Sequence, residues 1–379
     1  AALYTNTTGT NNTAVGYAAL LSNTIGTNNT AVGQAALYTN TTGTNNTAVG
    51  YAALLSNTIG TNNTAVGQAA LYTNTTGTEN TAVGMNALYS NTTGIQNTAV
   101  GIETLFSNTT ARFNTAFGGY ALRDSTTGEY NTALGRVSLR FNTTGSFNTA
   151  VGDQALYNNT IGTYNTAVGI NALNSSTTGS NNTAVGREAL FSNTIGGLNT
   201  AVGIGTLYSN TTGVQNTAVG SQSGDTITTG TNNTCLGFNA EPPTATSNNT
   251  FTLGNASVDN LRCNDTTISS LSDARDKTNI EPVPYGLDFI TALRPVRFDW
   301  NRRDGTFKGR KDLGFIAQEL DEVENQFNSH DYTRLVHKEN PDKWEADPMK
   351  TYPILIKAVQ ELSIEVETLK KKLNSMTNN

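Results

Sequence analysis

Glycine recurs every 17 residues from Gly16 to Gly254, fifteen times, without one insertion or deletion. The series runs Gly16, Gly33, Gly50, Gly67, Gly84, Gly101, Gly118, Gly135, Gly152, Gly169, Gly186, Gly203, Gly220, Gly237, Gly254. Most of these glycines close the phrase Asn-Thr-Ala-Val-Gly. A fixed period over two thirds of a chain means one supersecondary unit copied along an axis, each copy touching only its neighbours. An insertion would shift the register of a stacked core, so the constant spacing argues for continuous stacking. The expected product is a rod, and rods serve reach, display or adhesion more often than chemistry.

Within a repeat, Ala-Val precedes the glycine and Ala-Leu follows three and four residues after it, as in Ala36-Leu37. Asn-Thr-Thr-Gly or Asn-Thr-Ile-Gly then places a second glycine column ten residues after the first, broken at Ala111 and Ser247. The apolar runs are too short for helices, and glycine this frequent would break them. Thr, Val, Tyr and Phe between Gly/Asn corners read as short strands. The pattern predicts two strands and two turns per coil of a β-solenoid or β-roll, an inner surface of Ala, Val and Gly, and left-handed Gly and Asn at the corners. Thr and Asn columns would form hydrogen-bonded ladders. Fifteen coils stacked at roughly 4.8 Å make a rod of about 70 Å. The core of one chain is thin, so association of several chains would help it. Residues 1–34 and 35–68 are identical, a mark of recent duplication. The chain opens within a repeat and without Met, so it is read as a fragment or a processed product.

Charge divides the chain. Residues 1–260 carry 9 acidic and 5 basic residues, and residues 261–379 carry 20 and 18. A nearly uncharged rod is unsuited to nucleic acid, which needs clustered Lys and Arg. No segment approaches the ~20 apolar residues of a membrane span. Cys235 stands in an alanine column and reads as a small buried thiol, and Cys263 has no partner at ligand spacing. No metal or cofactor is expected, and calcium is disfavoured because the rod lacks Asp-bearing Gly-rich nonapeptides. The acids Glu79, Glu103, Asp124, Glu129 and Asp153 differ in repeat phase and read mostly as solvated variants. From Ser221 to residue 271 the array decays, as a cap or a binding tip would. The expected division is therefore a shaft at 1–220, degenerate repeats at 221–271 and a distinct domain at 272–379.

That last part reads as a small α/β domain. Ala292 to Trp300 alternates like a strand, and Asp312 to Leu320 reads as strand into helix. Tyr352, Leu355, Val359, Leu362, Val366, Leu369, Leu373 and Met376 keep 3-4 spacing, which predicts a coiled coil over about 350–376. The domain opens on Ser272-Asp-Ala-Arg-Asp-Lys277-Thr-Asn279-Ile. A serine needs a base to attack a carbonyl, and a lysine serves only if its proton is lost. Alone, such a pair reads as a capped turn with solvated charges.

Four blocks in order carry a resemblance: Ser272 to Ile280; Leu293-Arg294-Pro295-Val296 with Phe298 and Trp300; Gly314 to Glu319; and Tyr352 to Leu362. They resemble the C-terminal intramolecular chaperone domain of bacteriophage endosialidases and tail fibres, a self-cleaving peptidase family. The resemblance implies a homotrimeric chaperone that assembles the preceding β-structured fibre and then cuts itself off. Carried over, Ser272 is the nucleophile, Lys277 the base and Leu271–Ser272 the scissile bond. Attack of the Ser272 hydroxyl on the Leu271 carbonyl would give an ester by N-to-O shift, with proximity replacing a separate substrate site. Lys277 should then lie in a dry pocket formed on assembly. Asp273 and Arg275 would hold the loop, and Asn279 could donate to the oxyanion. The array in turn is similar to the β-roll head repeats of trimeric bacterial adhesins, though those carry a different period.

The expected protein is thus a virion tail fibre or spike, bound to other tail proteins and to a host-surface receptor, without nucleic-acid or membrane partners. Two other readings use the same rod. A polysaccharide depolymerase needs paired carboxylates, and an ice-binding solenoid or surface adhesin would use the Thr columns.

Overall fold

The computed structural model describes residues 1–258, 261–262, 272–303 and 307–377. It divides into two units, Ala1–Asn255 and Ala256–Asn379. Cys263 and Leu271 lie outside the described residues.

The first unit is a parallel β-solenoid of 17-residue coils. Each coil contributes one three-residue strand, from β1 (Thr13–Val15) to β15 (Phe251–Leu253), joined in a sheet whose order follows the sequence. Register is strict: Thr13 pairs Thr30, Ala14 pairs Ala31 and Val15 pairs Val32, and the same offset repeats up the stack. The strands continue past residue 220 without interruption.

The expected second strand does not form. After the ruler glycine, alternate residues such as Ala18 (φ 58°) and Leu20 (φ 50°) are left-handed, which curls the Ala-Leu segment into successive turns. Its backbone still bonds the next coil, as in Leu20 N–H to Ala36 C=O at 3.0 Å. A left-handed leucine costs about 1–2 kcal/mol. Complete burial of that side chain, seen from Leu20 to Leu190, returns about 1.5–3 kcal/mol.

Buried leucine and alanine fill one part of the interior, and two fully buried asparagine columns fill the rest. In the first, Asn40 Nδ2 donates to Asn23 Oδ1 at 2.8 Å and to its own coil's Gly43 C=O at 3.0 Å, and Asn57 repeats both bonds. In the second, Asn29 Nδ2 donates to Gly43 C=O at 2.8 Å while its Oδ1 accepts from Asn46 N–H at 3.0 Å. Thr41 and Thr58 hydroxyls donate to carbonyls one coil on, at 3.1 and 3.0 Å. The ladder expectation therefore holds. Where the first column changes residue it breaks: Ser125 and Ser176 leave Asn108 Oδ1 and Asn159 Oδ1 buried without a hydrogen bond, and the column's end at Ile227 does so for Asn210 Oδ1.

Two further corrections follow. Val does not face inward. In a Thr-Ala-Val strand only the middle residue points in, so Val32, Val49 and Val66 are each 36% exposed while Ala31, Ala48 and Ala65 are at 0%. The two glycine columns also differ in cause. At Gly67, φ is +137° and a Cβ would lie 2.5 Å from Gly84 C=O. At Gly60 the backbone is ordinary, but a Cβ would meet Asn57 Oδ1 and Gly77 C=O. That second column admits Ala111, at the expense of stretching the Asn108 bond to 3.4 Å.

Aromatic residues at equal phase stack along the axis, as in Phe113, Tyr130, Phe147 and Tyr164 with centroids 4.8–5.0 Å apart. The acids read as mostly solvated are partly exposed and paired, all but Asp124 to a residue one coil away. Arg123 holds both Glu103 and Asp124 at 2.8 Å, Arg112 holds Glu129 at 3.1 Å, Arg136 holds Asp153 at 3.0 Å, and Gln96 donates to Glu79 at 2.8 Å. Cys235 is fully buried in the alanine column. Near the end of the stack the Glu241 carboxylate accepts from the N–H of Asp225 at 2.8 Å and of Thr226 at 3.3 Å.

In the second unit α1 (Leu287–Ala292) leads to β16 (Val296–Asp299), which pairs antiparallel with β17 (Lys311–Gly314). There follow α2 (Ala317–Phe327), α3 (His330–Thr333), the short pair β18 (Val336–His337) and β19 (Glu345–Ala346), and α4 (Tyr352–Thr377). Phe289, Leu320, Val323, Leu335 and Ile354 form the core. The strand read from Ala292 is shorter than expected, because α1 takes Ala292 and Pro295 cannot donate to a ladder. The long helix α4 docks on its own domain through Ile354 and Ala358, and its Glu361 carboxylate accepts from Leu287 N–H at 2.7 Å, capping α1. The predicted seam lies on another face. Leu355, Val359, Leu362, Leu369 and Leu373 are exposed.

Candidate active site

The segment Ser272–Asn279 is built around a single 3-10 turn, Ala274–Asp276. Asp273 precedes it in an extended conformation, and its Oδ1 accepts from Arg275 N–H at 2.9 Å, a side-chain cap that starts the turn. The Arg275 guanidinium folds back on the same carboxylate at 2.6 Å, and the N–H bond adds to it, so the Asp273 carboxyl is held below its usual range. Asp273 and Arg275 are thus bound to each other at the start of the turn.

The turn closes on Lys277, whose N–H donates to Ala274 C=O at 3.2 Å. It brings together two side chains five residues apart. Lys277 Nζ donates to Ser272 Oγ at 2.6 Å and to Ser272 C=O at 3.3 Å. That is the distance at which a neutral amine could take the serine proton. Both residues are exposed in the single chain, so the dry pocket expected around Lys277 is not supplied by this chain's own fold. Asn279 is exposed and left-handed, φ 52°. Leu271, the acyl side of the expected cut, lies outside the described residues.

Sequence reasoning missed three features of the domain. Arg294 and Glu319, from two different blocks, form an ion pair with Nε to Oε2 at 3.0 Å, which lowers the Glu319 carboxyl. They line one cleft of about 360 Å³ together with Leu293, Phe315 and Ile316. The fully buried Glu324 accepts from Thr333 Oγ1 at 2.5 Å and Leu335 N–H at 2.6 Å, and lies 3.2 Å from His330 Nδ1. With Asp321 these form the one cluster of metal-ligand type among the described residues. Lys338 already pairs with the Asp321 carboxylate, so the group reads as an ion-pair network tying α2 and α3 to the residues that flank β18. The only hint in the sequence was polar residues at intervals of three to six.

A protein-family model described as chaperone of endosialidase, a peptidase S74 family, matches residues 272–332. The match begins at Ser272 and takes in three of the four blocks; the fourth, on α4, lies beyond it. No curated protein and no solved structure matches the chain. The matched segment and the solenoid before it fit a tail-fibre or spike-like protein with a C-terminal chaperone domain.

Proposed function

We propose that this chain is the shaft of a viral tail fibre or spike, assembled as a homotrimer by the domain from Ser272 onward, which then cleaves itself from the shaft between Leu271 and Ser272. The observation that carries the reading is the 2.6 Å approach of Lys277 Nζ to Ser272 Oγ, at the first residue of the matched family segment.

The reaction draws only on the chain's own groups. Ser272 Oγ attacks the Leu271 carbonyl carbon as Lys277 Nζ accepts the hydroxyl proton. The C–N bond breaks, the proton passes to the leaving α-amine of Ser272, and the resulting ester is hydrolysed by water. Burial of the pair between assembled copies would favour the neutral amine, since desolvation disfavours the charged form, and would make cleavage depend on assembly. The Asp273–Arg275 turn keeps the two side chains in reach. In the virion the shaft would join other tail proteins and present its surface to a host-cell receptor. Glu79, Glu103, Glu129 and Asp153 are each tied to an Arg or Gln one coil away, which weighs against a depolymerase.

The test is expression of the whole chain followed by a denaturing gel and intact mass. Wild type should give a species ending at Leu271. Ser272→Ala and Lys277→Ala should remain full length while keeping the native oligomer mass. An uncleaved wild type, or cleavage persisting in Ser272→Ala, would defeat the mechanism.

A further inference from the structure

We infer that the outward Thr-x-Val face of the shaft sheet is an interface between copies of this chain, with the valine column as its seam. This rests on the assembly reading above and names the surface that assembly would use.

The column just before the ruler glycine holds fifteen residues, from Val15 to Leu253, and all are apolar: eleven Val, three Leu and Phe117. In the single chain they are not buried. Val185 is 36% exposed, Val219 41% and Phe117 43%. Other outward columns take charge freely. Arg136, Asp153 and Arg187 stand one residue after the glycine, Arg123 and Arg140 five after, Arg112 and Glu129 six before. A column that merely faced water would have accepted polar residues as these do. Together the fifteen side chains expose on the order of 800 Å² per chain, which is what one partner contributes to a standard interface and more than a monomer usually leaves uncovered in one apolar patch.

The shape of the stripe selects its occupant. It is a line with one apolar residue per coil, about 70 Å long at roughly 4.8 Å per step. A globular partner covers a fraction of such a line, whereas a rod of the same pitch covers all of it, and the chain supplies that rod itself. Charge agrees with a parallel, in-register copy. With Tyr352, Val359, Val366 and Leu373 at a and Leu355, Leu362, Leu369 and Met376 at d of α4, Glu365 falls at g and Lys370 at the following e. Parallel helices set Glu365 against Lys370 of the partner subunit.

Cysteine cross-linking tests the seam in the whole chain, in a Cys263→Ser background; Cys235 is fully buried. Val100→Cys and Val168→Cys should form inter-chain disulfides at least about tenfold faster than Thr76→Cys and Thr144→Cys, exposed in another column, because residues held at a shared seam meet at millimolar effective concentration. Val100→Asp with Val168→Asp should lower the mass of the assembly in light scattering while leaving its circular dichroism intact. A stable oligomer with equal cross-linking in both columns, indifferent to the aspartates, would overturn the seam and leave the assembly reading standing. A monomeric wild-type chain would overturn both. A monomer showing thermal hysteresis would give the face to ice instead.

Discussion

Ser176→Asn should make the shaft more stable. Ser176 interrupts the first asparagine column, and both its own Oγ and the Asn159 Oδ1 beneath it are buried without a hydrogen bond. Above it Asn193 Nδ2 donates to Gly196 C=O at 3.0 Å, but no bond joins it to the coil below. An asparagine at 176 can donate to Asn159 Oδ1 and to Gly179 C=O and can accept from Asn193, the geometry that Asn57 already shows at 2.8, 3.0 and 2.7 Å. Space is available because Gly179 has no Cβ, and intact coils fit an asparagine against the same glycine. Relieving a buried orphan acceptor is worth about 1–3 kcal/mol and each added bond about 0.5–1.5 kcal/mol. Ordering the longer side chain returns roughly 1 kcal/mol. Taking the bond to Asn159 as the relief itself and adding the two other bonds, the net is a gain of about 1–5 kcal/mol, or on the order of 2–20 °C for a cooperative unit of this size. Stability in a solenoid is a sum of neighbour terms, so amide exchange should slow most in the coils around 159–196. The opposite change, Asn57→Ser, creates the same defect and should cost a similar amount. Circular dichroism melting of the full chain with exchange by mass spectrometry reads both. If Ser176→Asn melts at or below wild type while Asn57→Ser is neutral, the buried ladder does not hold the coils together.

Gly67→Ala should cost more than about 3 kcal/mol, since it adds left-handed strain to a backbone clash, whereas Gly60→Ala should cost about 1 kcal/mol, as the native Ala111 suggests; urea unfolding separates them, and equal losses would refute the distinction. Glu241 makes the end of the stack pH-sensitive. Burial pushes its carboxyl from an ordinary 4.5 up to about 7, against the bonds from Thr226 and Asp225 N–H, with the Asp225 charge adding to the rise. The folded state then binds the proton more tightly than the unfolded one, so its stabilising effect is complete below about pH 4.5 and fades as pH rises through about 7. Exchange at residues 225–241 should therefore quicken between those values, and Glu241→Gln should flatten the profile; an unchanged profile in that variant would place the sensitivity elsewhere.

Much of the shaft was legible because the repeat is exact to the residue. A period without gaps forces residue i onto i+17, and columns of Asn and Thr at equal phase must then meet as ladders. The direction of each side chain was not legible. Alternation needs several residues to declare a face, and each strand has only three. What turns the Ala-Leu segment inward is a pair of left-handed residues, Ala35 and Leu37 for example, whose side chains give no hint of that conformation. The long helix shows the reverse case. Its 3-4 spacing marked an apolar stripe that is exposed in the single chain, but not that Ile354, Ala358 and Glu361 serve a second face against α1.

The sequence by itself determined a one-dimensional stack and its register, because those follow from the period alone. Only the tertiary structure decided what is inside. Leucine and asparagine are buried and valine is turned out, because backbone curvature rather than hydrophobicity sets which residue faces the axis. Likewise the string Ser-Asp-Ala-Arg-Asp-Lys names a possible nucleophile and base, but a separation of five residues leaves their distance open. The Asp273-capped turn brings them to 2.6 Å, and that approach depends on backbone dihedrals that no count of residues contains.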